Sequence, residues 1–141
     1  MTDAVQIDLL PLITEAEHPQ YLLNRKPAGT NACGVFTENV LEFRDGKLTG
    51  PYVEVKLCAD SDFILYEFSY MTKTYGCGHP LSRPCHECHR SNTAQFLADD
   101  IFNVFKNSVL PYDRNVQDKN EVAALVKLCR KVCDRIAREV A

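Results

Sequence analysis

Residues 52–75 read YVEVKLCADSDFILYEFSYMTKTY, and the fold turns on how they are taken. Val53, Val55 and Leu57 alternate with Tyr52, Glu54 and Lys56, the two-residue period of a strand with one buried face. Ala59-Asp60-Ser61-Asp62 is small and polar, which reads as a turn. Phe63 to Tyr75 is a longer run, rich in aromatic and β-branched residues, that suits a second strand. Toward the N-terminus, GVFTENVLEF (34–43) and KLTGPYVEVKL (47–57) flank Arg44-Asp45-Gly46, and Asp-Gly is a favoured tight-hairpin pair. The prediction is a three-stranded antiparallel meander over residues 33–75. Cys33, next to Gly34 at the start of this sheet, is expected to be buried.

Before the meander, residues 1–32 are the least regular part. Pro11, Pro19 and Pro27 keep any helix there brief, and His18 lies in a polar stretch expected to be exposed. After it, residues 76–90 form a Cys/His loop, and residues 93–141 form a helical part. Ser91-Asn92-Thr93 offers caps for a helix starting near Ala94. Ala94, Leu97, Ile101, Val104 and Phe105 then recur at helical spacing, and Pro111 is expected to end the helix. A second helix runs from about Asn120. On it Val122, Leu125, Cys129, Val132, Cys133, Ile136 and Val140 form an apolar stripe, with Lys127, Lys131, Arg135 and Arg138 nearly opposite. Strands, loop and two helices in that order predict an α+β fold with both helices packed on one face of the sheet. Residues 1–141 are read as a single domain stabilised by zinc.

With 141 residues, 45% hydrophobic and 25% charged, the chain is long enough to bury a core and has a globular composition. The first residues lack the basic start and apolar run of a signal peptide. No stretch approaches the roughly 18 apolar residues of a membrane helix. Seven cysteines, odd in number and clustered, fit reduced thiols better than a disulfide framework. The expected location is therefore intracellular, cytoplasmic or nuclear. Charge is uneven: residues 1–72 balance at −6, residues 73–113 at zero and residues 114–141 at +3. The total of −3 argues against a general nucleic-acid coat, which favours excess Lys and Arg.

The loop itself reads GCGHPLSRPCHECHR (76–90). Zinc takes four ligands, thiolates and neutral imidazoles, in a tetrahedron. Cys77, His79, Cys85 and Cys88 supply that number as C-x-H-x5-C-x2-C, with His86 or His89 able to replace His79. Four compact protein ligands would close the shell, which predicts one structural zinc ion rather than a catalytic one. Glu87 reads as a surface charge.

Three functional readings follow. The first is a non-enzymatic, zinc-binding recognition or adaptor domain that engages another protein, with Arg83, Arg90 and the basic ridge of the last helix as its contact surface. The alternative is a nucleic-acid binder that uses the loop cations and that same ridge. The second alternative starts from PCHEC, which resembles the P-C-x-x-C half of the zinc deaminase signature. That resemblance implies zinc on Cys58, Cys85 and Cys88, with Asp60 shuttling protons. Asp60 is one methylene shorter than the family's glutamate, and Cys58 ends a strand instead of opening a helix. Oligomeric state is not legible in the sequence.

Overall fold

The computed structural model describes residues 21–73, 76–112 and 119–140. The readings that fall on residues 1–20, His18 among them, lie outside this set. The chain is α+β. Among the described residues a 3₁₀ turn, Leu22–Arg25, precedes seven strands and two helices: β1 (Gly29–Thr30), β2 (Phe36–Glu38), β3 (Leu41–Gly46), β4 (Tyr52–Asp60), β5 (Phe63–Met71), β6 (Gly76–Cys77), β7 (His86–His89), α1 (Ala94–Tyr112) and α2 (Lys119–Glu139).

The β4–β5 hairpin is the centre of the molecule. It pairs antiparallel without interruption from Tyr52↔Met71 to Asp60↔Phe63. This register puts Val53, Val55, Leu57 and Ala59 on one face beside Tyr70, Phe68, Tyr66 and Ile64. All eight are buried, as the alternation predicts. The opposite face carries Glu54, Lys56 and Glu67, and turns apolar near the hairpin end at Cys58 and Leu65. Ser61 makes the tight connection with φ 54.

Ala59 and Asp60, read as part of a turn, extend β4, and two expectations for the strands before it change. The run 34–43 is two strands, because Asn39 takes a left-handed φ of 56, a region that Asn tolerates better than most residues. Its side-chain amide donates to the Pro27 carbonyl at 3.0 Å. β2 consequently leaves the main sheet and pairs with β1. Nor is Arg44-Asp45-Gly46 the hairpin turn, since β3 continues pairing with β4 through Gly46↔Tyr52. The chain reverses over residues 47–51, closed by Lys47 N–H donating to the Pro51 carbonyl at 3.1 Å and Gly50 N–H to the Lys47 carbonyl at 2.9 Å. Gly46 enters this turn at φ 91, where an added Cβ would run into the Pro51 carbonyl.

The sheet order is β3-β4-β5, with β6 and β7 both on the outer edge of β5. The loop of residues 76–90 is thus partly sheet. Both helices cover the face bearing Tyr66 and Phe68. Thr93 caps α1, its hydroxyl accepting from Phe96 N–H at 3.1 Å. From α1, Leu97, Ala98, Ile101 and Phe105 are buried. Phe105 meets Phe68 and Tyr70 edge-on, with centroids 5.2 and 5.9 Å away. Tyr66 donates its hydroxyl to Asp100 at 2.7 Å, tying β5 to α1. Pro111 falls within the last turn of α1 and not beyond it.

α2 contributes Leu125, Cys129, Val132, Cys133 and Ile136, all fully buried. Truncating one of the larger of these to Ala would cost about 2–5 kcal/mol. A second, smaller cluster of Phe36, Cys58, Leu65 and Leu81 sits on the far face of the sheet. There β2 is held by Phe36 N–H donating to the Leu81 carbonyl at 2.8 Å. None of the described helices is long and apolar enough to cross a membrane.

Candidate functional site

The register places the four zinc candidates in three different settings. Cys77 pairs with Tyr70 and Cys88 with Ile64. Six residues of β5 separate those partners, roughly 20 Å along a strand. Sulfurs sharing one zinc must come within about 4 Å of each other, since each Zn–S bond is near 2.3 Å. Cys85 and Cys88 also diverge. Cys88 belongs to the main core beneath the helices, whereas Cys85 packs on the small cluster of the other face. A C-x2-C step turns two thiols to one point in a loop, but on a strand an i, i+3 pair faces opposite sides.

Cys77 and His79 do meet, with Sγ 2.9 Å from Nε2, and His79 N–H donates to Ser69 Oγ at 3.0 Å. The two possible substitutes are elsewhere. His86 stacks on Tyr66 and Phe68, both at 5.4 Å between centroids, with Nε2 3.6 Å from Glu67. His89 packs edge-on to Phe63, and its Nδ1 lies 2.8 Å from Ser91 Oγ. Among the described residues no group of three or more His, Cys, Asp or Glu side chains is placed to hold a metal ion.

The deaminase-like set fares similarly. Cys58 and Cys85 share the small cluster, but Cys88 is on the other side of the sheet. The Asp60 carboxylate is bonded to Arg83 at 2.5 Å. Burial pushes the Cys58 thiol up to about 12, reinforced by Cys85 and Asp60 and partly opposed by Arg83. Burial is also the main cause that raises the thiols of Cys85 and Cys88. Thiols held protonated in this way are poor nucleophiles and poor ligands. Cys33, expected to be buried, is exposed. Asn31 Oδ1 accepts from the N–H groups of Cys33 and Val35 at 2.9 and 3.0 Å, and this surface turn passes through Gly34 at φ 82.

The cations singled out for contact divide into two kinds. Arg83 pairs with Asp60 and, at 3.9 Å, with Glu87. Arg90 lies 3.7 Å from Asp62, whose carbonyl accepts from Arg90 N–H at 2.9 Å. Both arginines thus clamp the β4–β5 turn. Arg135 donates to the Arg44 carbonyl at 3.0 Å, covers the Phe43 ring at 5.7 Å and lies 3.7 Å from Glu139. It fastens α2 to the edge strand β3. Arg138 is exposed.

Lys127 and Lys131 differ. Together with Lys47, they rim a groove of about 360 Å³ between α2 and the β3–β4 turn, floored by Pro51, Ala124 and Leu128. None of the three lysines has an ion pair among the described residues. Leu48, at the tip of the same turn, is 67% exposed. Lys47 was missed by the sequence reading. Its only signal was its position just after Asp45-Gly46, and nothing local says that this turn meets α2.

Compared with protein-family models, curated proteins and solved structures, the chain shows no significant match to any of them.

Proposed function

We propose that this chain is a non-enzymatic recognition domain that docks an acidic, partly apolar segment of another protein. The observation that carries the reading is the lysine groove: three cations without a carboxylate partner among the described residues, around an apolar floor. Elsewhere Arg44, Lys56, Arg83, Arg90, Arg130 and Arg135 each have an acidic neighbour. The apolar floor favours a peptide with Leu or Ile side chains over a phosphate backbone, which would meet the cations and leave the floor uncovered. The overall charge of −3 points the same way.

Fluorescence anisotropy with a labelled twelve-residue peptide of alternating Glu and Leu, run beside a labelled single-stranded DNA 20-mer, tests it. The peptide should saturate at micromolar concentration and weaken in Lys127→Glu/Lys131→Glu, while the DNA stays unbound at physiological salt. Saturable DNA binding that falls steeply with salt, without peptide binding, would establish the nucleic-acid reading instead.

A zinc ion enters this reading only through Cys77 and His79, whose donors already lie 2.9 Å apart. Its remaining ligands would come from the partner or from residues outside the described set. Elemental analysis of the purified chain beside Cys77→Ser/His79→Ala tests this. One zinc per chain in the parent and none in the variant supports it, whereas no zinc in the parent removes the metal.

A further inference from the structure

Resting on the recognition reading above, we propose that the acidic partner segment is extended and adds as a strand to the outer edge of β3, its two ends seated in two cation-rimmed grooves. Among the described residues β3 pairs with β4 on one side and with no strand on the other. The lysine groove opens at its Gly46 end. A second groove of about 360 Å³ opens at its Leu41 end, lined by Leu22, Val40 and Leu41 together with Arg25 and Lys26. Leu22 is 49% exposed. Neither Arg25 nor Lys26 has an ion pair among the described residues. Both ends of one edge strand thus repeat the same chemistry, apolar side chains beside unneutralised cations. Leu41 and Gly46 lie about 17 Å apart along the strand, so an extended segment of about eight to ten residues reaches both grooves.

The direction of each backbone group along β3 follows from the bonds at its end. Lys47 N–H donates across the turn to the Pro51 carbonyl. In an antiparallel pair successive residues alternate between bonding the partner strand and facing away from it. Leu41, Phe43 and Asp45 therefore bond β4, while Glu42, Arg44 and Gly46 turn their N–H and carbonyl groups outward. Side chains take two of these outward groups. The Arg44 carbonyl accepts from Arg135 at 3.0 Å, and Gly46 N–H donates to the Asp45 carboxylate at 2.7 Å. The Glu42 N–H, the Glu42 carbonyl and the Arg44 N–H meet no protein group among the described residues.

An edge with such groups is a template for an added strand. Main-chain bonds hold the segment whatever its side chains, and the grooves at the two ends then select acidic and aliphatic ones. The Glu42 carboxylate on this edge is already held by Arg44 at 2.9 Å, which reduces its repulsion of an incoming acid. Charge also argues against a second copy as the occupant. Two β3 edges joined antiparallel would set the Gly46 end of each against the Leu41 end of the other. Lys47, Lys127 and Lys131 of one copy would then face Arg25 and Lys26 of the next, and like charges placed opposite each other oppose pairing. A segment with Asp or Glu toward both ends is complementary instead.

Amide hydrogen exchange of the full chain, read residue by residue by NMR with and without the twelve-residue Glu-Leu peptide, tests the proposal. At saturating peptide the Glu42 and Arg44 amides should exchange at least tenfold more slowly. Those of Phe43 and Asp45 should be slow in both states, because they already bond β4. Arg25→Glu/Lys26→Glu should weaken the peptide at least fivefold at an unaltered melting temperature. Unchanged exchange at Glu42 and Arg44 overturns strand addition, and unchanged affinity in the variant overturns the second groove. Protection of these two amides without peptide, growing with protein concentration, also overturns the proposal, because the edge would then belong to a second copy.

Failure of the parent reading has a different signature. A peptide that binds, weakens in Lys127→Glu/Lys131→Glu and leaves the β3 amides unprotected keeps the lysine groove and overturns strand addition. A peptide that does not bind the unmodified chain overturns both.

Discussion

Arg83 and Arg90 end on Asp60 and Asp62, while Lys47, Lys127 and Lys131 meet no carboxylate among the described residues. Both sets are cations at the margin of the same sheet, exposed except for the half-buried Arg90, yet they do different work. The arginines bring residues 82–90 back across the β4–β5 turn, where a planar, multiply donating head holds a carboxylate and a geometry together. The lysines are compact charges on long apolar stems beside a floor of Pro51, Ala124 and Leu128. Such stems lie along apolar surface and keep their charge in water. A cation already neutralised within the fold has little left to offer a partner. Counting basic residues along the chain therefore overstates one surface and gives only part of the other.

Alkali should open the largest difference between the two regions. Below the clamped turn, the Cys58 thiol is pushed up to about 12 by burial, whereas an unfolded thiol ionises near 8.5. Between those values the unfolded chain releases a proton that the folded chain keeps. Stability present below the unfolded value is therefore lost progressively as pH rises toward 12, by on the order of 4 kcal/mol. The urea midpoint should fall between pH 7.5 and 10.5, and Cys58→Ala should flatten that fall. An unchanged slope in the variant would sink the assignment.

Gly46→Ala comes next and strikes the lysine side. With φ at 91 and the Pro51 carbonyl in the way, it should cost about 2–3 kcal/mol of stability. The Glu-Leu peptide should be lost too, because Lys47 follows directly in the chain. Normal stability in this variant would show that the turn adapts. Lys127→Glu/Lys131→Glu should weaken peptide binding about ten- to thirtyfold, near 1.4–2 kcal/mol, at an unaltered melting temperature. The smallest effect belongs to the arginines. Arg83→Ala and Arg90→Ala should each lower stability by about 0.2–1 kcal/mol and leave peptide binding untouched. If they weakened the peptide more than the lysine variant did, the contrast between arginines and lysines would be reversed.

What the sequence disclosed follows the range of its signals. The β4–β5 hairpin and both helices were legible because period-2 and 3.6-residue patterns are local and repeated. The break at Asn39 was not, since any strand tolerates one Asn until tertiary contacts select its left-handed form. β6 and β7 were hidden for a related reason. Cysteine and histidine dominate residues 76–90, and side chains that suggest ligation say little about whether the backbone finds an open strand edge. Once β7 pairs with β5, the spacing that promised convergence produces divergence. The groove was half legible. Helical periodicity placed Lys127 and Lys131 on one ridge, but Lys47 reaches them through a turn some eighty residues away.

Cys85 and Cys88 have one more consequence. They are two thiols on a single short stretch that look into different interiors, one under the β1–β2 hairpin side and one under the helices. A thiol reagent therefore finds two reporters whose labelling rates can be followed separately. Equal rates would mean that both interiors breathe as one unit. Cys85 is already part-exposed and Cys88 buried, so a faster Cys85 is the starting point. A Cys85 rate that denaturant raises before the Cys88 rate would mean that the thin side of the sheet opens while the helical side stays shut. The chain carries, without any added probe, the means to measure how far its two faces are cooperative.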